Sequence, residues 1–119
     1  MALPHLLIVD DSALITGALQ ILFEESGYRV TVAGTVASAV QCGLLDRADI
    51  MLLDVTLPDG DGLAVLEALR AGSAEPRATI AVTGHDDDAV RARCMIAGCA
   101  DVLIKPVPVS VLLARVRSL

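Results

Sequence analysis

Ile50-Met51-Leu52-Leu53-Asp54-Val55-Thr56-Leu57-Pro58-Asp59-Gly60-Asp61-Gly62 is the stretch that decides the fold of this 119-residue chain. Four apolar residues run straight into a carboxylate. An apolar run this short, closed by turn residues, suits a strand buried on both faces. Leu57-Pro58-Asp59-Gly60 then has Pro and Gly at the second and fourth positions that a type I turn favours. Asp54 is therefore expected at the carboxyl end of a buried strand, facing the crevice where open α/β sheets bind ligands. The plain alternative at this point is a turn aspartate.

Outward from that stretch, strands and helices alternate. His5 to Val9 reads as the first strand, ending at Asp10-Asp11-Ser12. Ile15, Leu19, Leu22 and Phe23 recur at helical spacing, with Ser12 or Asp11 as cap and Gly27 as stop. Arg29 to Ala33 reads as a short edge strand. Thr35 can cap a second helix bearing Val36, Val40 and Leu44, which Gly43 weakens by ~1 kcal/mol relative to Ala. Asp49 to Leu53 is the third strand. Asp61 is then expected to cap a helix carrying Leu63, Leu66 and Leu69, ending near Gly72. Thr79 to Val82 is the fourth strand, and Asp86, Asp87 and Asp88 open a helix striped by Val90, Cys94 and Ala97. Val102 to Ile104 is the fifth strand, ending at Lys105-Pro106. Val109, Leu112, Leu113 and Val116 mark the last helix.

Five βα units imply a parallel sheet with helices on both faces and right-handed crossovers. The expected architecture is the doubly wound, flavodoxin-like α/β fold with strand order 2-1-3-4-5. The totals agree. The chain is 55% hydrophobic but only 2% aromatic, so its core must be aliphatic. At this length it is expected to be one domain, residues 1–119, burying roughly two-thirds of its unfolded surface. A net charge of −6 argues against direct contact with nucleic acid. Cys42, Cys94 and Cys99 have no metal-ligand spacing and read as small apolar residues in a reducing compartment. No apolar run approaches a membrane span and the N-terminus lacks a signal-peptide pattern, so the expected location is the cytoplasm.

In a parallel sheet all the strand ends share one edge. That edge carries Asp10 and Asp11, Asp54, Thr83, and Lys105, the chain's only lysine. Two unit charges 4 Å apart repel by ~4 kcal/mol at an effective dielectric of 20. Three clustered carboxylates must therefore protonate or hold a cation. Hard oxygen ligands in an open site suit Mg²⁺, which takes one or two carboxylates together with phosphate.

These residues, in this order and spacing, resemble the receiver domain of two-component response regulators: Asp10-Asp11, Asp54 followed by Leu57-Pro58-Asp59-Gly60-Asp61-Gly62, Thr83-Gly84, and Lys105-Pro106. The resemblance covers almost the whole chain and implies a role for each residue. Asp54 would take a phosphoryl group from a phosphohistidine on a sensor histidine kinase or phosphotransfer protein. Asp10, Asp11, Asp54 and the backbone carbonyl of Thr56 would ligate Mg²⁺. Lys105 and Thr83 would each hold a phosphoryl oxygen, and Pro106 would follow a cis peptide. Partners, or a second copy of the domain, would dock on the face of the fourth helix, fifth strand and last helix, near Arg91, Arg93, Asp101, Arg115 and Arg117. The chain would be a signalling phosphoacceptor rather than an enzyme that turns over external substrates, and residues 1–119 would hold the receiver alone, with no output domain expected among them.

Two positions depart from the family pattern. Val102 stands where Tyr or Phe is usual, so a switch based on aromatic rotation is not expected. Thr56 stands where Met is frequent. Thr56 also lies two residues after Asp54, where a haloacid-dehalogenase-type phosphatase needs a second carboxylate, which argues against that class. The alternative is a phosphorylation-independent interaction domain with the same fold. Flavin binding is disfavoured because a flavodoxin phosphate loop is rich in Ser, Thr and Gly after strand one, whereas Asp10-Asp11 would repel a phosphate unless a cation intervened.

Overall fold

Ile50–Asp54 forms the central strand, and all five of its residues are buried. The computed structural model describes residues 2–119. In chain order the elements are β1 (His5–Val9), α1 (Ala13–Glu25), β2 (Arg29–Ala33), α2 (Val36–Leu45), β3 (Ile50–Asp54), β4 (Thr56–Leu57), β5 (Gly60–Asp61), α3 (Leu63–Ala71), β6 (Ala78–Thr83), α4 (Asp88–Ile96), β7 (Asp101–Ile104) and α5 (Val109–Arg117). Five strands make one parallel sheet in the order β2-β1-β3-β6-β7. Counted on those five strands alone, this is the expected 2-1-3-4-5. β4 and β5 form a two-residue antiparallel ladder in the loop after β3, closing the turn at Pro58-Asp59. Among the described residues, no helix is long and apolar enough to cross a membrane.

The pleat divides the interior into two cores. Leu7, Val9, Met51, Leu53, Ala81 and Val102 face α2, α3 and α4, where Ala39, Leu66, Leu69 and Cys94 meet them. Ile8, Leu52, Ile80 and Leu103 face α1 and α5, where Leu19, Phe23, Leu112 and Val116 meet them. Both faces of the sheet are thus covered, which is why its strands read as unbroken apolar runs. Cys94 and Cys99 are buried and Cys42 half-buried, all three as free thiols.

Several local expectations need correction. The third strand begins at Ile50 rather than Asp49 and includes Asp54, because the ladder with β6 continues to Asp54 opposite Val82. The N-cap of α3 is Gly62, not Asp61; the Asp61 carboxylate still accepts the Leu63 N–H at 3.0 Å. Ser12 is the N-cap of α1, but its hydroxyl makes no capping bond. Gly43 is not a weak point in α2. A Cβ there would lie 2.6 Å from Leu69 Cδ2, so its bareness is the seat on which α3 packs. Gly27 has φ +98°, the left-handed conformation that ends α1.

Candidate functional site

Three strand ends converge on one pocket because they share one pleat row. Ile8, Leu52 and Leu103 point toward α1 and α5. Two residues further on stand Asp10, Asp54 and Lys105, which the period of two brings to the same side. Lys105 Nζ donates to Asp54 Oδ2 at 2.9 Å and to Asp10 Oδ2 at 3.1 Å. Asp54 is only 6% exposed. Asp10, Asp11 and Asp54 each offer a carboxylate oxygen, all within 4.8 Å of one another. The cluster thus has an internal cation. Lys105 bridges two of the three carboxylates, and its single positive charge offsets one of their charges. Burial is the largest influence on the Lys105 ammonium and pulls its pKa down, but its hydrogen bonds to Asp54 and Asp10 and their charges outweigh that and leave it raised.

Backbone geometry fixes Asp54 from the other side. The Thr56 N–H donates to Asp54 Oδ1 at 3.0 Å. Gly62 passes so close beneath that a Cβ would sit 2.0 Å from the Asp54 carbonyl oxygen. The Gly62 N–H donates to the Val55 carbonyl at 2.6 Å, just outside the Thr56–Asp61 pair. Bonded and non-bonded pairs alternate along an antiparallel ladder. Thr56 and Asp61 are therefore a non-bonded pair, and the ladder leaves the Thr56 carbonyl free. Asp10 is placed by its N–H donating to the Ala33 carbonyl at 3.1 Å, and its Oδ1 accepts the Ser12 N–H at 2.9 Å.

Thr83 makes no hydrogen bond to this cluster among the described residues. It continues the row of Ala81, on the opposite side of the pleat, and is buried with its hydroxyl accepting the His85 N–H at 3.1 Å. Gly84 leaves open space beside it, since an added Cβ would touch nothing within 4 Å. The Lys105–Pro106 peptide is cis. A largely apolar cleft of about 440 Å³ runs from the cluster between α1 and α5, walled by Leu14, Ile15 and Val109.

One residue that sequence reading passed over is Asp59, whose carboxylate accepts the Val36 N–H at 2.8 Å and the Ala37 N–H at 3.1 Å at the start of α2. Those two amides hold its carboxyl below the usual carboxylate range. Among the charges expected to mark a docking face, Arg115 pairs with Asp101, Arg93 with Asp61, and Arg91 lies 3.6 Å from Asp86.

Comparison with known proteins agrees with this geometry. A family profile for the response regulator receiver domain matches residues 6–117. The transcriptional activator protein PfeR of Pseudomonas aeruginosa is 34% identical over 116 residues, covering 98% of this chain and 37% of its own length. The TorCAD operon transcriptional regulatory protein TorR of Escherichia coli K12 is 34% identical over 115 residues, covering 97% of this chain and 49% of its own. The chain therefore spans half or less of the length of these curated relatives. A response regulator receiver domain protein from Methanospirillum hungatei superposes with a TM-score of 0.89 at 27% identity, covering 98% of this chain and 93% of that one. With the fold, the strand-end cluster and the matched profile in agreement, the chain belongs to the response regulator receiver domains of two-component signalling.

Proposed function

We propose that Asp54 accepts a phosphoryl group from a phosphohistidine on a sensor histidine kinase or phosphotransfer protein. The observation that carries this reading is a buried carboxylate paired to the chain's only lysine at 2.9 Å, with two further carboxylates alongside. An Asp54 oxygen forms the new P–O bond while the P–N bond breaks, and the electron pair returns to the imidazole nitrogen. Carboxylates serve as nucleophiles of this kind, and the acyl phosphate they form suits a reversible signal. Phosphoryl transfer needs positioning and charge neutralisation more than covalent help.

The donors fit Mg²⁺: three carboxylates and a free backbone carbonyl are hard oxygens in an open site. Asp10, Asp11, Asp54 and the Thr56 carbonyl would hold it, and once bound it supplies positive charge to the phosphoryl oxygens. Lys105 transfers its hydrogen bond from the Asp54 carboxylate to a phosphoryl oxygen. Thr83 keeps its hydroxyl proton free to donate, since the His85 bond uses only the oxygen's lone pair. Drawing the Thr83 hydroxyl toward the phosphoryl group biases α4, β7 and α5, the face for output partners or a second copy of the domain. Val102 is buried, so this bias travels through backbone and helix shifts rather than an aromatic rotamer. The cleft beside Asp54 gives a kinase segment an apolar footing.

On this reading residues 1–119 act as one receiver unit in the cytoplasm. It assists its own phosphorylation and dephosphorylation without turning over external substrates, and its net charge of −6 disfavours direct contact with nucleic acid. The test is incubation with acetyl phosphate and Mg²⁺, read by intact mass, with chromatography before and after to report any dimer. One adduct is expected on the wild type and none on Asp54→Asn. An unlabelled wild type would favour a phosphorylation-independent interaction domain.

A further inference from the structure

We infer that Asp59 is a positioning residue for this site, stapling the acceptor loop to the start of α2; the inference rests on the function proposed above. The first amides of a helix have no partner within it. In α2 the Thr35 hydroxyl takes only the Ser38 N–H, at 3.0 Å. The Val36 and Ala37 amides are taken instead by the two oxygens of Asp59, at 2.8 and 3.1 Å and from 23 and 22 residues away. Both bonds are charge-assisted and lie at the positive end of the helix.

The staple joins two parts that matter to the carboxylate cluster. On one side Asp59 sits in the turn between β4 and β5, three residues after Thr56 and three before Gly62. Thr56 holds Asp54 Oδ1 through its amide, and Gly62 lies against the Asp54 carbonyl. A shift at Asp59 therefore reaches Asp54 along a stretch with little slack. On the other side, the approach to α2 abuts the Asp10–Asp11 loop. A Cβ at Gly34 would meet the Asp10 carbonyl oxygen at 3.8 Å and Asp11 Cα at 3.9 Å. The start of α2 is thus a common reference for Asp54 and Thr56 on one flank and Asp10 and Asp11 on the other. Asp59 is the side chain that locks the first flank to it.

The experiment compares wild type, D59A, D59N and T35A by Mg²⁺ titration calorimetry, by labelling with acetyl phosphate across Mg²⁺ concentrations, and by amide hydrogen exchange at Val36 and Ala37. Outer-shell partners of metal sites are worth roughly 10–100-fold in affinity. D59A is expected to weaken Mg²⁺ binding about tenfold, to recover most of its labelling rate at saturating Mg²⁺, and to expose the two amides to exchange. D59N, with one acceptor oxygen, is expected to fall between. T35A loosens the same helix end but keeps the staple, so its Mg²⁺ affinity stays at the wild-type value. Wild-type Mg²⁺ affinity in D59A, or an equal loss in T35A, would overturn the inference. Should D59A fail to fold, D59N decides alone, and wild-type affinity there overturns it. A wild type that neither binds Mg²⁺ nor takes label sinks the proposed function instead, which is a distinguishable result.

Discussion

Gly62→Ala is the substitution that most directly probes how Asp54 is held. Gly62 has φ −58° and ψ −30°, which alanine adopts without strain, so any cost is purely steric. The added Cβ would lie 2.0 Å from the Asp54 carbonyl oxygen, 2.9 Å from its carbonyl carbon and 3.0 Å from Val55 Cα. All three neighbours are backbone, so no side chain can rotate aside. The contact must open by about 1 Å before it reaches a tolerable separation, and overpacking of this kind costs about 1–3 kcal/mol. The stiffer unfolded chain of an alanine returns about 0.4–1 kcal/mol of that. At roughly 4 °C per kcal/mol for a chain of this size, the melting temperature should fall by several degrees. The functional loss should be larger, since a misplacement of about 1 Å can cost 10²-fold in a positioned reaction. The assay pairs a thermal melt followed by circular dichroism with the rate of phosphoryl uptake from acetyl phosphate, read by intact mass. Wild-type melting and wild-type labelling in Gly62→Ala would refute the claim that this close approach fixes the acceptor. So would a labelling loss no greater than the loss of folded protein.

Further outcomes follow from the charges and thiols. Lys105→Ala should still take label, but the amide signals of α4, β7 and α5 should not shift as they do in the wild type. Without the ammonium, Asp10 and Asp54 lack a counter-charge, so Mg²⁺ should raise the melting temperature of Lys105→Ala more than that of the wild type. Because the Lys105 pKa is raised in the fold, its contribution is fully present below the unfolded value of about 10.4 and fades as pH climbs through the folded one. Burial pushes the Cys99 thiol up to about 12. The unfolded chain ionises that thiol above about pH 8.5, so stability should fall between pH 8.5 and 10 by up to about 1.4 kcal/mol per pH unit. Urea melts of wild type and Cys99→Ala across that range check it, with the alanine variant expected to be flatter. In native protein only Cys42 should react quickly with a thiol reagent.

The sheet was legible because each strand is a short aliphatic run ended by a polar residue, a pattern that needs no tertiary knowledge. The helices were legible from their apolar spacing. What escaped reading depends on contacts far apart in the chain. Gly43 reads as a flaw in a helix until Leu69 is seen against it. Asp61 reads as the cap of α3 until the Asp54 carbonyl is seen to require Gly62 there. Asp59 reads as a turn residue because its partners lie more than twenty positions earlier. The convergence of Asp10, Asp54 and Lys105 followed from strand polarity. That Thr83 continues the opposite row from these three follows from counting residues along the pleat, a step that strand ends alone do not supply.

That pleat has a wider consequence. Asp10, Asp54 and Lys105 continue the rows that pack on α1 and α5, whereas Asp11 and Thr83 continue the rows of Val9 and Ala81 on the side of α2, α3 and α4. The sheet works as a partition between a receiving chamber and a reporting one, open at the edge where Asp11 reaches the cluster. Substitutions in the aliphatic lining of the first chamber should tune how readily a donor is accepted. Those in the second should tune how loudly acceptance is announced, so the two properties can be altered separately.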